Sequence, residues 1–163
     1  IYLLPADDME FTIDYSIDFA HTFLNKQSFA RLFSRDTFTK ELGSARTFGF
    51  LKDVEALRAN GLARGGSLDN AIVISDNSIL NEGGLRYPDE FVRHKVLDMM
   101  GDIALVGAPV IGQLVAYRSG HSLNHKLAQK VLRLSNRWEL TDSLEDKEPL
   151  SIMAAFLDKL ATA

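Results

Sequence analysis

His94, Asp98 and Asp102 form the strongest local candidate for chemistry in this sequence. Steps of four residues along an α-helix keep side chains on one face, here within an arc of about 80°. An imidazole and a carboxylate one turn apart can bind a single cation, which is the geometry of helical zinc motifs. The same spacing is common on an ordinary solvated helix face. Spacing alone therefore leaves a metal site and a solvated surface both open.

The other histidines give weaker signals. His121 follows Ser119 and Gly120 at a predicted strand–helix junction, where catalytic residues often gather, so it is a candidate general acid. An N-terminal helix residue without chemistry explains the same position. His125, one turn later, is expected at the surface, and His21 is expected in a loop.

Residues 47–75 form an unusually apolar segment. A strand at 48–51, a helix at 53–60 and a β-branched strand at 71–74 predict a short βαβ unit. Its apolar side chains either form a small core of their own or line a groove for an apolar ligand; they are Phe48, Phe50, Leu51, Val54, Leu57, Leu62 and Val73. The glycine-rich loop at 62–67 follows a helix rather than a strand and lacks the G-x-x-x-x-G-K spacing, so it does not indicate a nucleotide-binding P-loop.

Hydrophobic periodicity predicts the elements that carry these residues. Strict alternation over 11–19 predicts a half-buried strand, followed by a shorter strand at 27–33 and a short helix from Ser34 or Asp36 to Leu42. A strand is also predicted at 113–117.

Two long helices are predicted, at 88–106 and 121–134, and a last helix begins at Pro149. On the first, the apolar side chains lie opposite His94 and both aspartates, which should therefore face solvent or a cleft; they are Val92, Val96, Met99 and Ile103. These elements indicate one α+β domain over residues 1–163.

Composition excludes several classes of function. The chain has 163 residues and 46% hydrophobic content, enough for one domain with its own core. It has no cysteine, which excludes thiol nucleophiles, disulfides and thiolate zinc sites. With 18 basic and 22 acidic residues, a net charge of −4 and no basic tract, it is not expected to bind nucleic acid or an anionic membrane.

No membrane anchor or leader is expected in this sequence. The longest apolar stretch, 103–111, is too short for a spanning helix, which needs about 20 residues. No signal peptide is visible. The chain does not begin with methionine, so we expect it to be a piece of a longer protein.

Four segments, in this order, resemble the UDP-3-O-acyl-N-acetylglucosamine deacetylases (LpxC), zinc amidohydrolases that carry out the committed step of lipid A synthesis. They are Arg46-Thr-Phe-Gly-Phe, Leu62-Ala-Arg-Gly-Gly-Ser-Leu-Asp-Asn, His94-Lys-Val-Leu-Asp-Met-Met-Gly-Asp and Ser119-Gly-His121-Ser-Leu-Asn. Members of that family have two similar α+β domains with the active site between them, and this chain resembles the second, C-terminal domain. The resemblance implies a two-layer sandwich of a small mixed sheet with helices on one face, plus a short βαβ insert, similar to the second domain of ribosomal protein S5.

The resemblance also implies roles for individual residues. His94 and Asp98 would be two of three protein ligands of a zinc ion. Thr47 would donate a hydrogen bond to the developing oxyanion, while His121 would stabilise that charge and protonate the leaving amine. Asp102 would hold the His121 ring and favour its cationic form.

Substrate contacts are implied in the same way. Lys95 would position substrate near the metal, and the insert at 47–75 would form the passage for the fatty acyl chain, which favours a groove over a closed small core. The implied substrate-binding residues are Lys95, Phe48, Phe50, Leu51, Val54, Leu62, Gly66, Ser67, Ala71 and Val73. The third zinc ligand, a histidine, and the general base, a glutamate, belong to the first domain and have no counterpart here, so the isolated chain is expected to be inactive.

Two hypotheses follow. In the first, the chain is half of a cytoplasmic zinc deacetylase of a Gram-negative-type bacterium, acts on an acylated UDP-sugar and pairs with the missing N-terminal domain. In the alternative, it is a non-catalytic module that binds an acyl chain or a sugar nucleotide. A histidine preceded by glutamate in the sequence upstream of Ile1 would favour the enzyme.

Overall fold

A four-stranded mixed sheet forms the base of the fold. The computed structural model describes residues 1–6 and 8–141, so the helix predicted from Pro149 lies outside the described residues. The strands β1 (Tyr2–Leu4), β2 (Phe11–Ile17) and β3 (Gln27–Leu32) join β6 (Gly112–Tyr117) in the order β1-β6-β2-β3. β2 runs parallel to β6 and antiparallel to β3, and β1 runs antiparallel to β6.

The alternation along β2 decides which face of the sheet is buried. Phe11, Ile13, Tyr15 and Ile17 are buried, and the residues between them are half-buried on the other face. The strand predicted to reach Phe19 ends at Ile17, because the chain turns there and Phe19 donates its N–H to Leu24. β1 was not predicted, since three residues are too few to show a period.

One long helix covers the apolar face of the sheet, and a second long helix packs on the first. α3 (Glu90–Ile103) packs on β2 and β3, and α4 (His121–Arg133) packs on α3. α3 is followed by a 3-10 turn, Ala104–Val106, which ends at Gly107 in the left-handed region (φ 85°). A short helix α1 (Arg35–Thr37), capped by the Ser34 side chain, runs into a π-helical turn, Phe38–Leu42.

The segment between α1 and α3 forms the expected βαβ unit. β4 (Thr47–Phe50) and β5 (Ala71–Ile74) pair in parallel, and α2 (Leu51–Ala59) connects them. Leu51 begins α2 rather than ending β4. The described chain is thus a mixed α/β structure with a small mixed sheet and four α-helices, which agrees with the predicted α+β class.

Candidate functional site

A buried ion pair fixes the start of β4 against the first turn of α3. Glu90 is fully buried and accepts hydrogen bonds from the backbone N–H and the Nε of Arg46, both at 2.9 Å, and from the backbone N–H of Arg86 at 2.6 Å. Burial acts to raise the pKa of Glu90, but the hydrogen bonds from Arg46 and Arg86 outweigh it and leave that pKa below its ordinary value. Thr47, the next residue, is exposed at the start of β4.

The side chains of His94 and Asp98 meet one turn apart on α3, on the shared helix face that their spacing predicted. His94 Nε2 lies 3.2 Å from Asp98 Oδ1, and the two side chains are only 18% and 16% exposed. His94 Nδ1 lies 3.3 Å from the Ala45 carbonyl oxygen, which can only accept, so Nδ1 carries a proton and Nε2 is directed at Asp98. Neighbouring ligands on a tetrahedral zinc ion, bound at about 2.0–2.1 Å, are about 3.3 Å apart. The donor pair therefore fits a zinc ion.

Asp98 is ionised at neutral pH. Burial acts to raise its pKa, but hydrogen bonds from His94 and Lys95 and their positive charge lower it to about 2. The Lys95 ammonium contacts Asp98 Oδ2 at 2.5 Å, so this lysine is folded onto the helix rather than extended into solvent.

Asp102 lies under α4 and is 7% exposed, which excludes the solvated-surface interpretation for this residue. Its Oδ2 accepts hydrogen bonds from His121 Nδ1 and Asn124 Nδ2, and its Oδ1 accepts one from His125 Nε2, each at 2.8 Å. His121 Nε2 then faces Asp98, 3.9 Å from Oδ2. The structure thus brings His94, Asp98, Asp102 and His121 into one contiguous cluster.

Buried polar groups hold the turn that carries His121. The Tyr15 hydroxyl donates to the Ser119 carbonyl at 2.8 Å, and burial, aided by the negative charge of Asp98, raises the pKa of Tyr15 to about 12. Ser119 Oγ donates to Asn124 Oδ1 at 2.6 Å, which orients the Asn124 amide toward Asp102. The sequence did not predict that Tyr15, Ser119 and Asn124 support the site. A tyrosine on a buried strand is expected to be an ordinary core residue, and no local pattern links it to residue 119.

His125 is exposed, as predicted, but it belongs to the cluster. Asp102, His121 and His125 form the one group of three potential metal-ligating side chains within residues 1–6 and 8–141, with ligand atoms within 4.8 Å of one another. Each histidine of this group lies 2.8 Å from an Asp102 oxygen, whereas His94 Nε2 and Asp98 Oδ1 lie 3.2 Å apart, close to the separation of two ligands on one zinc ion. We therefore favour the His94–Asp98 pair for the metal. The i, i+4 spacing of His121 and His125 could have revealed their shared partner.

The βαβ unit lies beside this cluster. The Phe48 ring packs against Phe91 and His94, with ring centroids 5.1 Å and 6.2 Å apart. On its other side, Phe48 meets the Phe19 ring at 6.2 Å, and Phe50 meets the His21 ring at 5.1 Å. The aromatic side chains of β4 therefore connect the ring of His94 with the rings of Phe19 and His21.

The apolar side chains of the unit are not enclosed in a small core. No residue of α2 is buried, and Leu57, Leu62 and Leu68 are 42%, 56% and 48% exposed. Ile72 and Ile74 of β5 are fully buried in the main core of the chain. The other apolar side chains of the unit are half-buried; they are Phe48, Phe50, Leu51, Val54, Ala71 and Val73. Gly66 and Ser67 are exposed in the loop between α2 and β5, where Arg58 donates to the Gly66 carbonyl and Asn70 accepts from the Ser67 N–H. An open apolar surface of this kind suits an apolar ligand better than a self-contained core.

None of the helices in the described ranges is long and apolar enough to span a membrane.

Comparison with known proteins points to one family. A family model described as UDP-3-O-acyl N-acetylglycosamine deacetylase matches residues 1–133. The UDP-3-O-acyl-N-acetylglucosamine deacetylase of Myxococcus xanthus is 55% identical over 138 residues, which cover 85% of this chain and 43% of that protein. The Campylobacter hominis protein of the same name is 53% identical over 127 residues, covering 78% of this chain and 43% of its own length. The chain thus spans less than half the length of these relatives.

Proposed function

The chain belongs to the UDP-3-O-acyl-N-acetylglucosamine deacetylase (LpxC) family, and from that premise we propose that it is one half of a zinc-dependent deacetylase. Its substrate is an acylated UDP-N-acetylglucosamine of lipid A biosynthesis, and the reaction removes the N-acetyl group as acetate in the cytoplasm. The proposed activity is the one for which the two relatives are named.

The facing ligand atoms of His94 and Asp98 are the observation that carries the proposal. Their 3.2 Å separation, the Ala45 carbonyl that orients the imidazole and the ionised carboxylate together make a partial zinc site. A zinc ion completed by a third ligand would lower the pKa of a bound water to about 7 and polarise the acetyl carbonyl.

The neighbouring residues supply the proton and the hydrogen bonds of the reaction. Asp102 accepts from His121 Nδ1, which leaves His121 Nε2 on the side of Asp98 to carry a proton to the leaving amine. Thr47, exposed at the start of β4, donates to the oxyanion, and Lys95 positions the substrate near the metal.

The βαβ unit binds the acyl chain. Its half-buried side chains extend from Phe48, beside His94, along β4 and β5, so an acyl chain bound there leaves the polar end of the substrate at the metal. An alkyl chain gains roughly 0.8 kcal/mol for each buried CH₂ group, which makes such a surface an effective anchor.

The rest of the protein supplies what this chain lacks. We assign the third zinc ligand and the general base to the missing N-terminal half, because these relatives are more than twice as long as the matched region. The docking surface for that half is an apolar stripe formed by Leu123, Leu127 and Val131 of α4, which fall within an arc of about 80°, and by Leu134 directly after the helix. Leu123 and Leu134 are 43% and 39% exposed in this chain.

The test uses the full-length protein that contains this chain. We expect about one zinc per chain by equilibrium dialysis and release of acetate from UDP-3-O-acyl-N-acetylglucosamine. His94→Ala and Asp98→Ala should each weaken zinc binding and lower kcat by at least about a hundredfold, since loss of a direct ligand exceeds the effect of losing its supporting contact. Asp76→Ala, which removes an exposed carboxylate in a turn, is the matched control and should change neither.

Two results would contradict the proposal. Zinc binding without acetate release would favour the alternative, a module that binds an acyl chain or sugar nucleotide. Zinc retained in both ligand variants would place the metal elsewhere, with the Asp102–His121–His125 group as the first candidate.

A further inference from the structure

We propose that His125 is a positioning residue that holds the Asp102 carboxylate in the orientation His121 requires; this rests on the proposed function of the same site. His125 touches neither of the proposed metal ligands through any hydrogen bond in the described chain, and it acts through Asp102.

Asp102 is held from both of its oxygens by one helix. Its Oδ2 accepts from His121 and Asn124, while its Oδ1 accepts from His125 Nε2, and all three distances are 2.8 Å. Residues 121, 124 and 125 lie within about one turn of α4, so the start of that helix surrounds the carboxylate.

The bond to Oδ1 decides the plane of the carboxylate. The χ2 torsion of an aspartate has a broad energy minimum, so hydrogen bonds to only one carboxylate oxygen leave the other oxygen free to rotate. A donor on each oxygen fixes that plane. Asp102 is 7% exposed, so few water molecules can replace a lost donor, and an unpaired buried oxygen costs more than an exposed one.

Fixing this plane matters because it orients His121. The carboxylate keeps the proton on His121 Nδ1 and thereby leaves Nε2 facing Asp98. If Asp102 rotates, the His121 ring, whose side chain is 60% exposed, loses the contact that orients it. A general acid displaced in this way slows the chemical step without weakening substrate binding.

A conservative substitution at His125 distinguishes the hydrogen bond to Asp102 from the simple presence of a side chain at that surface position. The side-chain amide of glutamine places an N–H donor close to the position of histidine Nε2, so His125→Gln keeps the bond to Oδ1. His125→Ala removes it. Gln129→Ala, at an exposed position one turn further along α4, is the matched control for altering the helix.

The experiment measures kcat and KM for acetate release by the full-length protein with each variant. We expect His125→Ala to lower kcat about fivefold with KM changed by less than twofold, because a half-exposed hydrogen bond to a charged group contributes modestly. His125→Gln should recover most of kcat, and Gln129→Ala should match the wild type. A wild-type kcat in His125→Ala, or an equal loss in His125→Ala and His125→Gln, overturns the proposal.

A second measurement separates this proposal from the proposed function. In the full-length protein labelled with ¹⁵N-histidine, the Nδ1 proton of His121 should be protected from exchange in the wild type and in His125→Gln, and should exchange faster in His125→Ala. If the wild type releases no acetate, the proposed function fails, and this comparison still decides: equal exchange in all three proteins overturns the role of His125.

Discussion

Asp98 and Asp102 are the same residue type one turn apart on α3, yet their surroundings give them different chemistry. Asp98 meets two groups that carry or can carry positive charge, His94 and Lys95, and its pKa falls to about 2. Asp102 instead meets neutral or titratable donors from α4 that occupy both of its oxygens. Asp98 is therefore paired with residues of its own helix, whereas Asp102 is paired with residues of α4.

Removing the Tyr15 hydroxyl tests how much its hydrogen bond to the Ser119 carbonyl contributes to stability. Tyr15→Phe keeps the buried ring but removes the hydroxyl that donates to the Ser119 carbonyl, so we expect the free energy of unfolding to fall by about 1–2 kcal/mol. Urea unfolding monitored by circular dichroism measures this change.

Tyr117→Phe is the control for Tyr15→Phe. Its hydroxyl donates to Asp18 at an exposed site, so its removal should cost less than about 0.5 kcal/mol. Equal losses in the two variants would mean that the bond to Ser119 contributes nothing beyond a surface contact.

At the scale of elements, the site depends on how β4 is attached to α3. Besides the packing of Phe48 on α3, two polar contacts hold the segment that leads into β4: the Arg46–Glu90 ion pair and the hydrogen bond between His94 Nδ1 and the Ala45 carbonyl. They come from adjacent residues of one segment and reach two successive turns of one helix. Thr47 and the row of aromatic side chains on β4 therefore keep a constant position relative to the proposed metal ligands.

Glu90→Gln tests this attachment and the dependence of its stability on pH. Removing one partner of a buried ion pair leaves Arg46 uncompensated, so the free energy of unfolding should fall by about 3 kcal/mol at pH 7. The pKa of Glu90 is lowered in the folded chain, so its contribution is present above its ordinary value of 4.5 and is lost as pH falls through the lowered pKa.

The measurement is thermal and urea unfolding of Glu90→Gln between pH 3 and 7. As the pH falls below 4.5, the free energy of unfolding should decrease less in the variant than in the wild type. Glu82→Gln, at an exposed position in the turn before α3, should reproduce the wild-type profile. A Glu90→Gln profile parallel to that of the wild type would show that Glu90 does not drive the acid transition.

At the scale of the whole molecule, the exposed apolar surfaces indicate where the chain contacts a ligand or another part of the protein. The α2 and loop leucines of the βαβ unit surround the proposed acyl site, and the apolar stripe of Leu123, Leu127, Val131 and Leu134 is the proposed docking surface. Under the proposed function, the first surface contacts the acyl chain and the second contacts the remaining half of the protein, so both would be uncovered when the chain stands alone.

We expect the chain expressed without its other half to self-associate. Leu123→Ser combined with Leu134→Ser should shift it toward the monomer in sedimentation velocity, because the stripe loses its two most exposed leucines. The control is Tyr2→Ser, which removes an exposed aromatic side chain from the sheet edge strand β1. An unchanged association state in the double variant would place the docking surface elsewhere.

Local patterns were sufficient to predict most of the elements and the His94–Asp98 pair. Alternation along 11–17 and the i, i+4 spacing on α3 involve residues a few positions apart, and the backbone geometry of a strand or helix converts that spacing directly into a shared face. The family, too, was recognisable from four short segments, and the comparisons confirm it.

Only the tertiary structure showed what those residues contact. His125 meets Asp102 across 23 positions, Arg46 meets Glu90 across 44, and Tyr15 meets Ser119 across 104. Such pairs depend on how helices and strands pack, and no periodicity along the chain encodes them. The sequence by itself therefore determined most of the elements, the family and a pair of candidate ligands. The packing of α4 on α3 decided that His125 and Asn124 share Asp102 with His121, because hydrogen bonds over these distances exist only once the two helices meet.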